Sequence, residues 1–294
     1  MDGVKTILAV VSDRDDGEIV LEKAVHMARA NGAALHVIKI VYEGFVELSG
    51  HGADQREALK AWVMQSEEAF LEDLIDPWRN QIAHLESATM WHRSQWEGIL
   101  EMASQLRADF VIKPTRYPVT EVIRTPQDWS LLRHAEIPVM LVKPINWSDK
   151  PRIAAAIDAS DDAEEELNLH ILRQTGRLAS SFGARVHVFS AFPSVEHWIG
   201  PITVAIDFDQ VREATSNQIK HKIHQLAESC DVKIDAVHAL EGEPGEVIKK
   251  EVDQLNIEVL VMGTHARKGP SGKILGNTSE SIIHQVNSDV VVLR

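Results

Sequence analysis

Short apolar runs rich in β-branched residues alternate with longer amphipathic stretches along this chain. Such runs are typical of buried strands, and the amphipathic stretches are typical of helices that cover a sheet. In the first half the runs predict strands at Thr6–Val11, Ala34–Val41, Ser87–His92, Phe110–Lys113 and Val139–Val142. In the second half they predict strands at Ile153–Ile157, Arg185–Ala191, Lys233–Ala239, Val259–Met262 and Val290–Leu293. Strands that alternate with helices in this way predict an α/β fold with parallel sheets.

Helices are predicted in the gaps between these strands. The first helix of each half, Asp15–Asn31 and Ala163–Phe182, is followed by a glycine, Gly32 or Gly183, which is a frequent helix C-terminus. Further helices are predicted within residues 54–83, Glu97–Arg107, 207–229 and Gly245–Gln254.

The two halves are an internal repeat. Gly32–Val37 aligns with Gly183–Val188 at an offset of 151 residues (183 − 32), and Pro138–Val142 aligns with Asp289–Leu293 at the same offset. A third block, Leu106–Val111, reads against Leu255–Leu260 at an offset of 149 (255 − 106). The repeat predicts two tandem doubly wound domains, each a five-stranded parallel sheet, at residues 1–144 and 152–294.

Composition narrows the partners that this chain can bind. Its 294 residues carry a net charge of −14, which argues against a general nucleic-acid binder or a protein held on anionic lipid. The first apolar run is too short to span a membrane, so we expect no membrane insertion and a cytoplasmic protein. A single cysteine excludes an internal disulfide framework and a cysteine-rich metal cluster.

A glycine-rich segment follows the fourth predicted strand of the second half. It runs from Gly263 to Glu280 and contains further glycines at 269, 272 and 276. Ligands of open α/β sheets bind at the carboxyl ends of strands, where glycines let the backbone amides approach an anion. The capping residues 277–280 predict a helix whose N-terminus faces the segment. The segment is therefore a candidate phosphate site, although spacing alone fits a surface loop equally well.

The spacing of Gly263, Gly276 and the residues after it resembles the signature of the universal stress protein family. In that family's nucleotide-binding members two further positions carry glycine and Ser or Thr, where this chain has Ala266 and Asn277. The resemblance implies an adenine nucleotide alpha hydrolase-like fold and a site for ATP or AMP. The residues that it implies for this site are Asp158, Val188, Met262, Gly263, Ala266, Gly276, Asn277, Thr278 and Ser279. From the residues alone, Asp158 fits a helix cap equally well.

The first half lacks these features. Ser12 stands in the place of Asp158, and the segment after the fourth strand, residues 113–123, has no glycine. The run Thr125–Arg133 resembles the tandem, two-domain E group of the same family. The resemblance implies a non-enzymatic stress-response protein, an intrachain pseudo-dimer formed through the last strand of each domain, and a homodimer of chains.

Other chemistry remains open or is disfavoured. A tryptophan-rich first half, with Trp62, Trp78, Trp91, Trp96 and Trp129, fits helix packing or an apolar ligand cavity, so a nucleotide-independent protein that binds an apolar ligand or a partner protein is the alternative. His221 and His224 lack the companions of a metal site, so no metal site is predicted. The sequence shows no general base beside the glycine segment, so we expect slow ATP hydrolysis at most.

Overall fold

The computed structural model describes residues 3–47, 52–115, 126–194, 207–264, 267–269, 272–274 and 277–294. The chain divides into two units, the first ending at Pro144 and the second beginning at Ile145. Residues 145–151, which lie between the two predicted domain ranges, thus belong to the second unit.

The N-terminal unit is a five-stranded parallel sheet with helices between the strands. Its strands are β1 (Thr6–Val10), β2 (Ala34–Val41), β3 (Leu85–Trp91), β4 (Phe110–Pro114) and β5 (Val139–Val142), in the order β3-β2-β1-β4-β5. Its helices are α1 (Arg14–Asn31), α2 (Ala53–Ile75), α3 (Gln95–Leu106) and α4 (Pro126–His134), with 3₁₀ turns at Gly44–Glu47 and Asp76–Gln81.

The C-terminal unit repeats this plan. Its strands are β6 (Ile153–Ala156), β7 (Val186–Phe192), β8 (Ala236–Glu241), β9 (Val259–Gly263) and β12 (Asp289–Leu293), in the order β8-β7-β6-β9-β12. Its helices are α5 (Glu165–Phe182), α6 (Phe208–Ser229), α7 (Pro244–Leu255) and α8 (Asn277–Gln285), with a 3₁₀ turn at Asp162–Glu164. Two short antiparallel strands, β10 (Arg267–Gly269) and β11 (Gly272–Ile274), lie between β9 and α8.

The strand order makes each sheet doubly wound. The chain moves outward from the first strand to the third, then crosses to the other side of the first strand for the fourth and fifth. Because crossovers between parallel strands are right-handed, the two directions of travel place helices on opposite faces of the sheet. The helices pack in corresponding pairs, α1 with α2 and α3 with α4, then α5 with α6 and α7 with α8.

Burial explains why the apolar runs form the central strands. The side chains of Ile7–Val10 and of Val259–Val261 are almost completely removed from solvent, as expected for strands covered on both faces. The first helix of each unit ends at a glycine in the left-handed conformation, Gly32 at φ 63° and Gly183 at φ 59°, where a side chain would be strained.

The predicted fold class is confirmed, since each unit has five parallel strands in doubly wound order. Most strand ends agree within two residues, but β8 begins at Ala236 rather than Lys233. There the Val186 amide donates to the Asp235 carboxylate at 2.8 Å, so a side chain takes the place that a backbone carbonyl would have in a longer ladder. The β10–β11 hairpin was not predicted, because glycine-rich residues carry no strand pattern.

Candidate functional site

The candidate site lies at the carboxyl ends of β6 and β9 and is called here the C-terminal crevice. These two strands are neighbours, with Ala156 aligned to Met262, so Asp158 and Thr264 both lie two residues beyond an aligned pair. The chain leaves these strands in opposite directions, which makes this the topological switch point of the sheet. Ligands of open α/β sheets bind at such points.

The turn after β6 is fixed from two sides by buried polar side chains. Asn168 of α5 accepts from the Asp158 amide at 3.2 Å and donates to the Asp158 carbonyl oxygen at 2.6 Å. Ser190 of β7 accepts from the Ala159 amide at 3.1 Å. Both side chains belong to residues that are almost fully buried. The backbone of the turn is therefore held in one position at the edge of the crevice.

Asp158 itself is exposed at this edge. Its Oδ1 accepts from the Ser160 amide at 3.0 Å and from the Ser160 hydroxyl at 2.6 Å. The alternative interpretation of Asp158 as a helix cap is wrong, because Asp161 caps the 3₁₀ turn by accepting from the Ala163 amide at 2.9 Å. The second Asp158 oxygen remains the atom through which this residue can meet a ligand hydroxyl.

Gly263 ends β9 where another side chain crosses over it. A Cβ atom placed on Gly263 would lie 2.6 Å from a methyl group of Leu167 on α5. The Leu167 side chain would therefore have to shift to admit any larger residue at position 263. The next residue, Thr264, is tied down through its amide, which donates to the Leu293 carbonyl at 2.7 Å.

Helix α8 begins at Asn277, so the residues predicted to cap it lie inside its first turn. Ser279 is 9% exposed, and its hydroxyl donates to the Gly263 carbonyl oxygen at 3.2 Å. This bond joins the first turn of α8 to the end of β9. Ser279 stays a predicted site residue, and its hydroxyl already has a main-chain partner.

The other predicted site residues divide into three groups. Val188 and Met262 are buried in the sheet, at 0% and 4% exposure, and support the crevice from below. Asn277 and Thr278 lie in the first turn of α8, where the structure describes the backbone. Ala266 and Gly276 lie outside the described residues.

Sequence reasoning missed Leu167, Asn168 and Ser190. Each lies in an element whose apolar pattern made it look like ordinary core or helix surface. The available signal was an asparagine and a serine at positions that the pattern assigns to the buried side, because buried polar groups in folded proteins have hydrogen-bond partners.

The outer wall of the crevice region carries paired surface charges. Lys222 of α6 contacts Asp162 at 2.6 Å and Glu165 at 3.3 Å. The hydrogen bond from Lys222 lowers the pKa of Asp162, and the two carboxylates raise the pKa of Lys222. All three side chains are solvated, so this network orients the start of α5 rather than stabilising it strongly.

The corresponding place in the N-terminal unit holds a buried ion pair. Lys113, near the end of β4, contacts Asp128 of α4 at 2.6 Å, with side-chain exposures of only 5% and 11%. The Lys113 ammonium also donates to the Pro114 carbonyl oxygen at 3.1 Å. This region at the ends of β1 and β4 is called here the N-terminal crevice.

A second ionisable cluster lies between β7, β8 and α7. His187 Nδ1 lies 3.2 Å from His238 Nε2, and His238 Nδ1 lies 2.8 Å from the Glu251 carboxylate. The pKa of His187 is lowered, first by burial and then by the neighbouring His238 and Arg185, against the opposing charges of Asp235 and Glu251. Because a carboxylate can only accept, the contact with Glu251 is a hydrogen bond donated by His238 Nδ1.

Two kinds of feature are absent from the parts of the chain that the structure describes. No group of three or more His, Cys, Asp or Glu residues there is arranged to hold a metal ion. None of the described helices is long and apolar enough to cross a lipid bilayer.

Comparison with known proteins places both units in one family pattern. Residues 3–143 and 151–294 each match the pattern of the universal stress protein family. Universal stress protein E of Photorhabdus laumondii is 26% identical, over 100% of this chain and 96% of that protein. The universal stress protein E homolog of Haemophilus influenzae is 28% identical, over 99% of this chain and 97% of that protein.

Solved structures share the same architecture over the whole chain. A functionally unknown protein from Pseudomonas aeruginosa PAO1 has a TM-score of 0.73 at 24% identity, covering 99% of this chain and 93% of its own. A universal stress protein from Archaeoglobus fulgidus has a TM-score of 0.65 at 16% identity, with 98% of both chains covered. At these identities the likeness establishes the fold alone.

Proposed function

The chain belongs to the universal stress protein family, and from that premise we propose that it acts in stress response by binding an adenine nucleotide, ATP or AMP, or a related anion in its C-terminal crevice. One observation carries the proposal. The pairing of β6 with β9 brings the Asp158 turn and the Gly263 strand end to the same edge, at the switch point of the sheet. The first turn of α8 is fastened to that edge by Ser279.

Each part of the crevice suits one part of a nucleotide. The exposed Asp158 carboxylate suits ribose hydroxyls, since a carboxylate accepts hydrogen bonds from them. The first turn of α8 (Asn277, Thr278 and Ser279) supplies backbone amides without partners inside the helix and the positive end of a helix dipole, which suit phosphate. Gly276 and Ala266 belong to the proposed site through the family resemblance, and Val188 and Met262 are buried in the sheet.

Isothermal titration calorimetry of the full chain with ATP and with AMP tests the proposal. We expect saturable binding with one site per chain. Asp158→Asn keeps an oxygen for Ser160 but removes the charge, and we expect it to weaken affinity about tenfold, the value of one hydrogen bond to a charged group. Asp161→Asn, an exposed capping residue in the same loop, is the matched control and leaves affinity unchanged. No binding of either nucleotide at millimolar concentration contradicts the proposal.

A second function is favoured by the contacts that two of the predicted site residues already make within the protein. Ser279 donates to Gly263, and Leu167 covers Gly263, so two signature positions serve the packing of the protein itself. This favours a nucleotide-independent stress protein that binds an apolar ligand or a partner protein. Native mass spectrometry of the freshly purified chain separates the two functions, because a copurified nucleotide supports the first and a copurified apolar molecule the second.

The association of domains and chains stays a prediction of the family resemblance. Light scattering of the eluted protein distinguishes a single chain from the expected homodimer. A cytoplasmic location is likewise a prediction.

A further inference from the structure

The internal repeat aligns the two crevices residue by residue. Helices α4 and α8 are both nine residues long and start 151 positions apart, which aligns Asp128 with Ser279. Strands β4 and β9 are both five residues long and start 149 positions apart, which aligns Lys113 with Met262 and Pro114 with Gly263. The buried ion pair of the first unit therefore occupies two of the positions proposed for the nucleotide site of the second.

The carbonyl at the strand end is satisfied in both units, but by different side chains. In the C-terminal unit the Gly263 carbonyl accepts from the Ser279 hydroxyl at 3.2 Å. In the N-terminal unit the aligned Pro114 carbonyl accepts from the Lys113 ammonium at 3.1 Å, and that ammonium also contacts Asp128 at 2.6 Å. A neutral bridge between helix and strand is thus replaced by a charged one.

We infer that the N-terminal crevice is an anion site filled from within, in which the Asp128 carboxylate is a built-in anion opposite the Lys113 ammonium. Asp128 lies in the first turn of α4, where the helix dipole favours negative charge. The external ligand that this site would accept, once the Asp128 carboxylate is removed, is a small oxyanion such as inorganic phosphate. The inference goes beyond the proposed nucleotide binding and stands without it, because it concerns the other unit.

Burial decides how the two charges depend on each other. Side chains exposed by only 5% and 11% cannot be well solvated by water, so the loss of the Asp128 carboxylate leaves the Lys113 ammonium poorly compensated. Removing the anion while keeping the cation should therefore create a demand for an outside anion. Removing both should not, because no buried charge of this pair then remains.

Three variants of the full chain test the inference by thermal unfolding. Asp128→Ser introduces the residue of the C-terminal unit and leaves Lys113 in place. Lys113→Met introduces the other aligned residue, and the double variant carries both changes. We expect Asp128→Ser to lower the Tm by about 10 °C, as for a broken buried ion pair in a domain of this size. The double variant should be more stable than Asp128→Ser alone.

Inorganic phosphate, compared with sodium chloride at equal ionic strength, supplies the decisive measurement. We expect phosphate to raise the Tm of Asp128→Ser by several degrees more than that of the wild type or the double variant. These two controls retain the same C-terminal crevice and the same general stabilisation by phosphate. Any contribution of either to the Tm therefore cancels in the comparison. Hydrogen exchange of β4 and α4 should slow with phosphate in Asp128→Ser alone.

The inference is overturned if phosphate raises the Tm of all three proteins equally. It is also overturned if the double variant is no more stable than Asp128→Ser. Should Asp128→Ser fail to fold, Asp128→Asn preserves the side-chain shape without the charge, and the same comparison with phosphate applies.

Discussion

Replacing Glu258 with alanine should destabilise the C-terminal unit, because it removes a largely buried carboxylate that accepts three hydrogen bonds. Glu258 directly precedes β9, and its carboxylate accepts hydrogen bonds from three groups. These are the Ser148 amide at 2.5 Å, the Ser148 hydroxyl at 3.1 Å and the Arg152 amide at 2.8 Å. The Glu258 side chain is 11% exposed. It therefore anchors the segment that leads into β6.

The aligned residue of the N-terminal unit offers a matched comparison. Asp109, 149 positions earlier, accepts from the Lys5 and Thr6 amides at 2.8 and 2.9 Å, but in a solvated setting. Hydrogen bonds to a charged group contribute about 1.5–3 kcal/mol each when buried, and less where water can replace them. Since Ser148 and Arg152 are themselves exposed, we expect a loss of about 3 kcal/mol for Glu258→Ala and about 1 kcal/mol for Asp109→Ala.

Urea unfolding measures the loss of stability in each variant. Hydrogen exchange at individual amides then shows which of the two units has been destabilised. Glu258→Ala should speed exchange at Ser148, Arg152 and the start of β6 while leaving the N-terminal unit unchanged. Asp109→Ala should act only at the start of β1. Equal losses of stability in the two variants would refute the reasoning, because burial would then have no influence on the strength of these bonds.

Three further predictions concern packing, the turn and pH. Gly263→Ala should lower the free energy of unfolding by about 1–2 kcal/mol through overpacking. Adding Leu167→Ala should recover part of that loss in thermal melts, and no recovery would mean that Leu167 is not the residue that clashes. Asn168→Ala should weaken nucleotide affinity by loosening the Asp158 turn, measured by calorimetry, and unchanged affinity would contradict that role. Because the folded state lowers the pKa of His187, its contribution to stability is present above the unfolded pKa of about 6.5 and is lost as the pH falls below it. With His187→Gln, the free energy of unfolding should therefore decrease less between pH 7 and pH 5. The control His221→Gln, at an exposed helix position, should show the same decrease as the wild type.

The fold could be predicted because its signals are local. Strands such as Val139–Val142 are uninterrupted apolar runs, and a glycine ends α1 and α5 where a left-handed residue is needed. The β10–β11 hairpin could not be predicted, since Gly269 and Gly272 indicate only flexibility. Strand order within each unit follows from the handedness of the crossovers rather than from any single residue.

The site was less predictable because it depends on contacts between distant residues. Gly263 looked like a phosphate residue, but its close neighbour is Leu167, almost a hundred positions earlier. The Asp158 turn depends on Asn168 and Ser190 in two other elements. Lys113 at the end of an apolar strand was a visible signal of a buried charge, yet its partner Asp128 could be identified only from the folded chain.

The two ways of satisfying the strand-end carbonyl also constrain how one crevice could evolve into the other. Starting from Met and Ser, a lysine that arrives first places an uncompensated ammonium in the interior, which costs several kcal/mol. An aspartate that arrives first lies in the opening turn of a helix, where the dipole offsets part of that cost. The less costly mutational path therefore acquires Asp128 before Lys113. Reversion would lose Lys113 first. The two positions therefore form an epistatic pair, in which the effect of a substitution at one depends on the residue at the other.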